Sequence, residues 1–401
     1  MPPRLHALTP LRFVAAAMIA AGHGAAVFGW APGPAFLHAA NAGVSFFFVL
    51  SGFVLAYNYP ALEGRGATRR FFAMRVARIW PMHAFAFVLV LVAFPREAWT
   101  APGVDPWLAA ALSLSLTQAW VPVAGYAGAF NAVSWTLSVD AFCYLMFPLL
   151  LVRLREAPAR TLVAASLLSI APPMLANALG GARSDLALDQ WNWYLLDHFF
   201  PLSRLVEFAL GMAAARVFAS GRARLPAGTP TATAVEVLVL AACVASLAAL
   251  HLVPYAGARV GPGVGDWLAQ VAAAPVFAAL LVVLAHGRGA VARVLAMRGP
   301  VHLGDLSYAV YLLHALLLHA PVWRTLTASI GGAASAVAYA LALVALAHLA
   351  WRFVESPARR GIVRAFDRRA ASAGRARGPA DRKSTRLNSS HSRASRMPSS
   401  A

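Results

Sequence analysis

The sequence predicts an all-α, polytopic helical membrane protein of about ten spans, and three observations carry that prediction. The chain is 60% hydrophobic and only 12% charged across its 401 residues. Several apolar runs reach the roughly 20 residues a helix needs to cross a bilayer. Arginines gather in alternate loops, as the positive-inside rule requires of a multi-pass chain. A soluble α/β protein would break its apolar runs with alternating polar positions.

In order, the predicted spans are 8–30, 41–59, 76–95, 134–152, 161–178, 199–218, 234–252, 267–286, 303–320 and 333–353. The first apolar run, 11–30, is too long for a cleaved signal peptide and has no evident cleavage site, so it is expected to stay as the first span. A further apolar stretch at 106–122 is short. If it does not cross, the arginines of 65–78, 153–160, 216–224 and 288–298 all share one side. The opposite loops then keep scattered arginines such as Arg96, Arg183 and Arg259, beside Asp185, Asp189 and Asp197. A crossing there would destroy this asymmetry. The stretch is therefore expected to be an interfacial or re-entrant helix, with both termini cytoplasmic.

The net charge of +19 owes much to the C-terminal region, where 356–401 hold twelve Lys/Arg against two Asp. Residues 5–360 are expected to form the membrane domain and 361–380 a basic, disordered cytoplasmic tail. From 381 the composition changes: Lys383 is the only lysine in the chain, and seven serines follow from Ser384. That segment, 381–401, resembles translated adaptor or vector sequence, so its basicity is not read as nucleic-acid binding. Cys143 and Cys243 fall inside apolar spans and suit buried small side chains better than a disulfide. No zinc motif is present, and no metal is expected.

Candidate chemistry begins at 70–81, RFFAMRVARIWP, between two apolar runs. Arg75 and Arg78 stand i, i+3 and share one face of a helix entering the membrane. Two guanidiniums there are shaped to grip an anion bidentately, although ordinary positive-inside anchoring would place them too. Ionisable groups inside spans are functional candidates because inserting them costs roughly 2.5–3.5 kcal/mol or more. His23 could take a proton from a hydroxyl near neutral pH, and Asp140 could orient it; a packing histidine and an arginine partner are the plainer alternatives. At 1.5 Å per residue both are expected about 10 Å beneath the outer surface, with Arg75 and Arg78 roughly 20 Å away at the inner face. Arg204, Glu207 and His314 fall in the same outer half. Glu207 could pair with Arg204 one turn away or line an acceptor path. Ser134 and Ser138 lie near Asp140, but nothing compels a covalent intermediate on them.

Seven segments then carry a resemblance. LRFVAAAMIAAGH (11–23), FFFVLSGFVLAY (46–57), RVARIWP (75–81), SWTLSVDAFCYLMFP (134–148), RLVEFALGM (204–212), LGDLSYAVYLLH (303–314) and RFVESP (352–357) resemble, in order, the acyltransferase-3 family of membrane O-acyltransferases. The resemblance covers about 5–360. It implies transfer of an acyl group, commonly acetyl, from cytoplasmic acyl-CoA to a hydroxyl, often of an envelope or secreted carbohydrate. Acyl-CoA would be a donor substrate, with no permanently bound cofactor. The resemblance also implies that His23 matches the family's essential histidine, that Arg75 and Arg78 match its acyl-CoA-gripping pair, and that Asp140 stands where glutamate is usual. His314 matches the span-nine motif and could line the cavity. The esterase-like domain fused to some members is not expected here. Direct transfer with His23 as general base is the leading expectation; an acyl-histidine relay stays open. The rival from another class is a proton-coupled carrier of a small anionic or sugar solute, which buried His, Asp and Arg would also suit.

Overall fold

The computed structural model describes residues 4–179, 188–192, 195–223, 225, 228–253 and 259–376. Arg183, Asp185, Arg224 and the 381–401 segment lie outside them. The described chain is helical, with a single isolated bridge, Val123 to Trp191, and no named strand. Its longer helices are α1 (Thr9–Gly24), α2 (Pro34–Asn58), α3 (Gly64–Ala93), α4 (Pro106–Leu114), α5 (Trp135–Glu156), α6 (Pro158–Ala178), α7 (Leu205–Ala219) and α8 (Thr229–Ala249). There follow α9 (Pro262–Val271), α10 (Ala274–Ala285), α11 (Ala290–Leu295), α12 (Arg298–Leu318), α13 (Val322–Ile330), α14 (Gly332–Ala350) and α15 (Ser356–Ala376).

Proline placement explains many of the helix starts. Pro10, Pro34, Pro106, Pro158, Pro230 and Pro262 sit in first turns, where the missing N–H is not owed to the helix. Pro81, Pro148, Pro172 and Pro173 lie inside helices, as membrane helices tolerate when neighbours support the freed carbonyls.

Among the described residues, eight helical segments are long and apolar enough to cross a membrane, against the ten expected. The difference lies at α1 and α7, which have 16 and 15 α-helical residues. Each is lengthened at its start by a 3₁₀ turn, His6–Leu8 and Pro201–Arg204, so the helical runs are 6–24 and 201–219. The expected 267–286 span is two helices, α9 and α10, joined at 272–273. The 106–122 stretch is short: α4 has nine residues, capped by Asp105, whose carboxylate accepts the N–H groups of Trp107 and Leu108. Residues 361–376, expected as disordered tail, continue as the helix α15, which packs along α3.

Helix α2 lies at the centre, against α1, α7 and α10. Its tightest contact is reciprocal: a Cβ on Gly52 would fall 2.1 Å from the Phe208 carbonyl, and one on Gly211 would fall 1.9 Å from the Val49 carbonyl. Only glycine lets these backbones meet, the small-residue packing expected between membrane helices. On the other side of the bundle α1 packs along α12, and α12 against α14.

The start of α5 is sunk into the bundle. Asn131 donates its side-chain N–H to the carbonyl of Leu312 at 2.9 Å, and Gln118 donates to the Ser134 carbonyl at 3.0 Å. Leu312 is six residues short of the end of α12, so α5 starts about 9 Å beneath that end. Trp135, the first residue of α5, is buried against Phe199 for the same reason. Cys143 and Cys243 are free and buried, as their apolar surroundings predict.

Candidate active site

Helices α1, α2, α3, α5 and α12 line a partly open cavity of about 110 Å³. Arg12, Arg75, Arg78 and Asp140 supply its charges, while Ser51, Tyr144 and Tyr308 add hydroxyls. Arg75 is held by rings: Tyr59, Phe71 and Tyr144 lie 5.6–5.9 Å from its guanidinium carbon, and its Nη2 is 3.4 Å from the Tyr59 hydroxyl. Its Nε is buried without a hydrogen-bond partner. Arg78 lies over the Tyr308 ring at 5.0 Å and pairs with Glu355. Three guanidiniums against one lining carboxylate leave the cavity cationic, in surroundings where charges are weakly screened. A phosphate fits that chemistry: planar, multiply donating groups converge on one space.

A second polar group stands further along the same helices. His23 Nδ1 lies 2.9 Å from His314 Nε2, and His314 Nδ1 lies 2.5 Å from the Tyr311 carbonyl. A carbonyl only accepts, so His314 Nδ1 carries the proton and its Nε2 is a lone pair. That lone pair requires His23 Nδ1 to be the donor, which leaves His23 Nε2 unprotonated in the neutral pair. The network thus selects the tautomer of His23 that can act as a base. His314 is fully buried whereas His23 is exposed.

The register along α12 sets the distances. Thr136 Oγ1 donates to the Tyr311 hydroxyl at 3.1 Å, placing those residues at one level. Asp140 lies one turn further along α5, and Ser307 one turn back along α12; both line the cavity. His314 lies almost one turn beyond Tyr311 in the opposite direction, with the two rings 5.7 Å apart. On α1, Arg12 and His23 are eleven residues apart. That separation is about three turns, or roughly 16 Å, with only about 20° between the two side chains around the axis. One face of α1 therefore offers a cation at one end and a base at the other.

The expected pairing of His23 with Asp140 is corrected by this arrangement. Asp140 stands among Arg12, Arg78 and Arg75, with Arg12 its strongest electrostatic partner. His314 takes the position beside His23. Asp140 lies deeper than its count from the outer surface predicts because α5 begins beneath that surface. Arg75 and Arg78 are brought together as the spacing predicted, and they sit mid-helix, since α3 starts at Gly64. Arg204 and Glu207 form a fully buried ion pair at 2.9 Å, with the Arg204 guanidinium over the ring of Phe48, whose side chain helps line the cavity. They bond to each other and are not cavity-lining residues. Ser134 is buried and held by Gln118.

Sequence reasoning missed Arg12, Glu355 and Tyr308. Arg12 had a usable signal, since it is a charge in the first span on the face of His23. Glu355 stands in the RFVESP segment, but nothing local directs it at Arg78, since that contact joins residues 277 apart in the chain.

The bundle is that of a multi-pass membrane protein, and the chain belongs to the acyltransferase-3 family. Residues 5–352 match that family's model, described as an acyltransferase domain. The chain is also similar to a curated protein, Acyltransferase MdmB of Streptomyces mycarofaciens. The two are 30% identical over 400 residues, covering 92% of this chain and 95% of that protein. No solved structure matches the chain. Family membership makes this an enzyme and sets aside the carrier reading.

Proposed function

We propose that the protein takes an acyl group, acetyl first among the candidates, from cytoplasmic acyl-CoA and esterifies a hydroxyl of an envelope or secreted carbohydrate. The arginine-rich ends of the helices face the cytoplasm of a bacterial cell, and the histidine pair lies toward the opposite surface. One observation carries the reading: a cationic cavity and a base-competent histidine share a helix face roughly 16 Å apart. The pantetheine arm of CoA, with roughly twelve bonds between phosphate and sulfur, extends about 14 Å at backbone-like dimensions. Phosphates on Arg12, Arg75 and Arg78 would therefore leave the thioester near His23.

In this mechanism the acceptor hydroxyl gives its proton to His23 Nε2 as its oxygen attacks the thioester carbonyl. The carbon–sulfur bond breaks, the thiolate leaves as CoA, and it recovers the proton from the imidazolium. His314, held by the Tyr311 carbonyl, keeps His23 in the required tautomer. Asp140 balances the arginine cluster. A test follows from that assignment. Replacing His314 by Gln is expected to lower kcat roughly ten- to hundredfold, the value of a hydrogen bond to a group that becomes charged. Asp140→Asn is expected to keep the acid limb of the pH–rate profile that His23 sets. Loss of that limb in Asp140→Asn, with a normal His314→Gln enzyme, would return Asp140 to the histidine.

The activity itself is tested by measuring base-labile acetate in envelope and secreted glycans. Cells carrying the wild-type gene are compared with cells carrying His23→Ala at equal expression. Ester lost only in the variant is the expected result. Equal ester in both, in a host that makes the native glycan, would contradict O-acetyl transfer to carbohydrate.

A further inference from the structure

Among the described residues, Arg78 is the cavity arginine with a carboxylate in contact. That carboxylate, Glu355, is 3% exposed; Oε1 meets Arg78, and Oε2 is buried with no hydrogen-bond partner. It comes from Trp351–Glu355, a π-helical turn inserted between α14 and α15. Such turns take in an extra residue and recur at functional sites. Here the turn aims an acidic side chain at a group that is otherwise suited to a phosphate. A buried carboxylate on an anion-binding arginine repels the incoming anion, and leaving it unpaired is costly. A partner is within reach: Arg359 lies four residues beyond Glu355 on the same helical run, the favourable acid-before-base order. It is exposed, and its electrostatic neighbours are Arg78, Arg75, Glu355 and Arg4.

We propose that Glu355 is a built-in competitor for the donor's phosphates, occupying Arg78 in the empty cavity and passing to Arg359 when a phosphate takes its place. The inference rests on the donor-site reading above. It makes α15 responsive to the donor, because Glu355 leads directly into that helix and α15 packs along α3, where Arg70 pairs with Asp367 at 3.4 Å. It also supplies selectivity. A ligand without phosphates gains nothing by displacing Glu355, whereas a diphosphate replaces one carboxylate with several charged oxygens.

The test is calorimetric titration of free CoA into the purified full chain, as wild type, Glu355→Gln, Arg359→Gln and the double variant. Glu355→Gln is expected to bind about tenfold more tightly, as removal of a competing charge from a weakly screened site predicts. Arg359→Gln is expected to weaken binding in the wild-type background and to have no effect once Glu355 is Gln. Weaker or unchanged binding by Glu355→Gln would overturn the proposal and make Glu355 a fixed support for Arg78. If Glu355→Gln does not fold, unchanged binding by Arg359→Gln alone overturns the exchange. Absence of CoA binding by the wild type is a different failure: it would remove the donor site itself, whatever the variants do.

Discussion

Replacing His23 by Ala is expected to lower acyl transfer by about 10²–10⁴-fold, the usual contribution of a positioned general base. The size follows from how completely the site depends on one lone pair. His314 cannot substitute, because its Nδ1 is committed to the Tyr311 carbonyl and its Nε2 to His23. Asp140 cannot substitute either, since it lies about 10 Å from the pair by the register of α12 and faces the arginines. The variant is expected to fold, because His23 is exposed and its truncation opens no core cavity. Its affinity for CoA is expected to stay near that of the wild type. Initial rates at saturating donor, together with CoA titration, measure both quantities. Loss of transfer and CoA binding together would mean that His23 supports the cavity.

The second large effect is expected at Arg75. Arg75→Gln is predicted to raise the KM for acyl-CoA roughly thirtyfold or more, the loss typical of truncating one partner of a desolvated charge pair. Arg75 carries this expectation ahead of Arg78 because it is held by aromatic rings and has no carboxylate to displace. Arg75→Lys is expected to recover little, since a lysine keeps the charge but not the planar fork or the ring stacking. Steady-state kinetics over a range of acyl-CoA concentrations separate the two constants. A fall in kcat at unchanged KM would place Arg75 in the transfer step.

The fold was largely legible because membrane helices announce themselves by length and apolarity, and because arginine placement excluded a crossing at 106–122. The arginine pair was legible for a local reason: Arg75 and Arg78 share a helix face wherever that helix sits. What sets α1 and α7 apart from the other spans is composition rather than length: Arg12 and His23 interrupt the run 6–24, and Arg204, Glu207 and Arg216 the run 201–219, residues that were there to be read. The partner of His23 was hidden more deeply. Its depth depends on a tertiary fact, the hydrogen bond from Asn131 to Leu312 that sinks the start of α5 and carries Asp140 toward the arginines. A one-dimensional count of residues from a surface cannot contain that displacement. Arg12 was overlooked although its spacing from His23 was there to be read.

The central claim is a division of labour between a cationic cavity that holds the donor and a histidine pair that moves the proton. Calorimetric titration of free CoA into His23→Ala and Arg75→Gln, purified side by side, tests it most directly. The account predicts near wild-type affinity for His23→Ala and heavily weakened binding for Arg75→Gln. The reverse pattern, or equal loss in both, would contradict it.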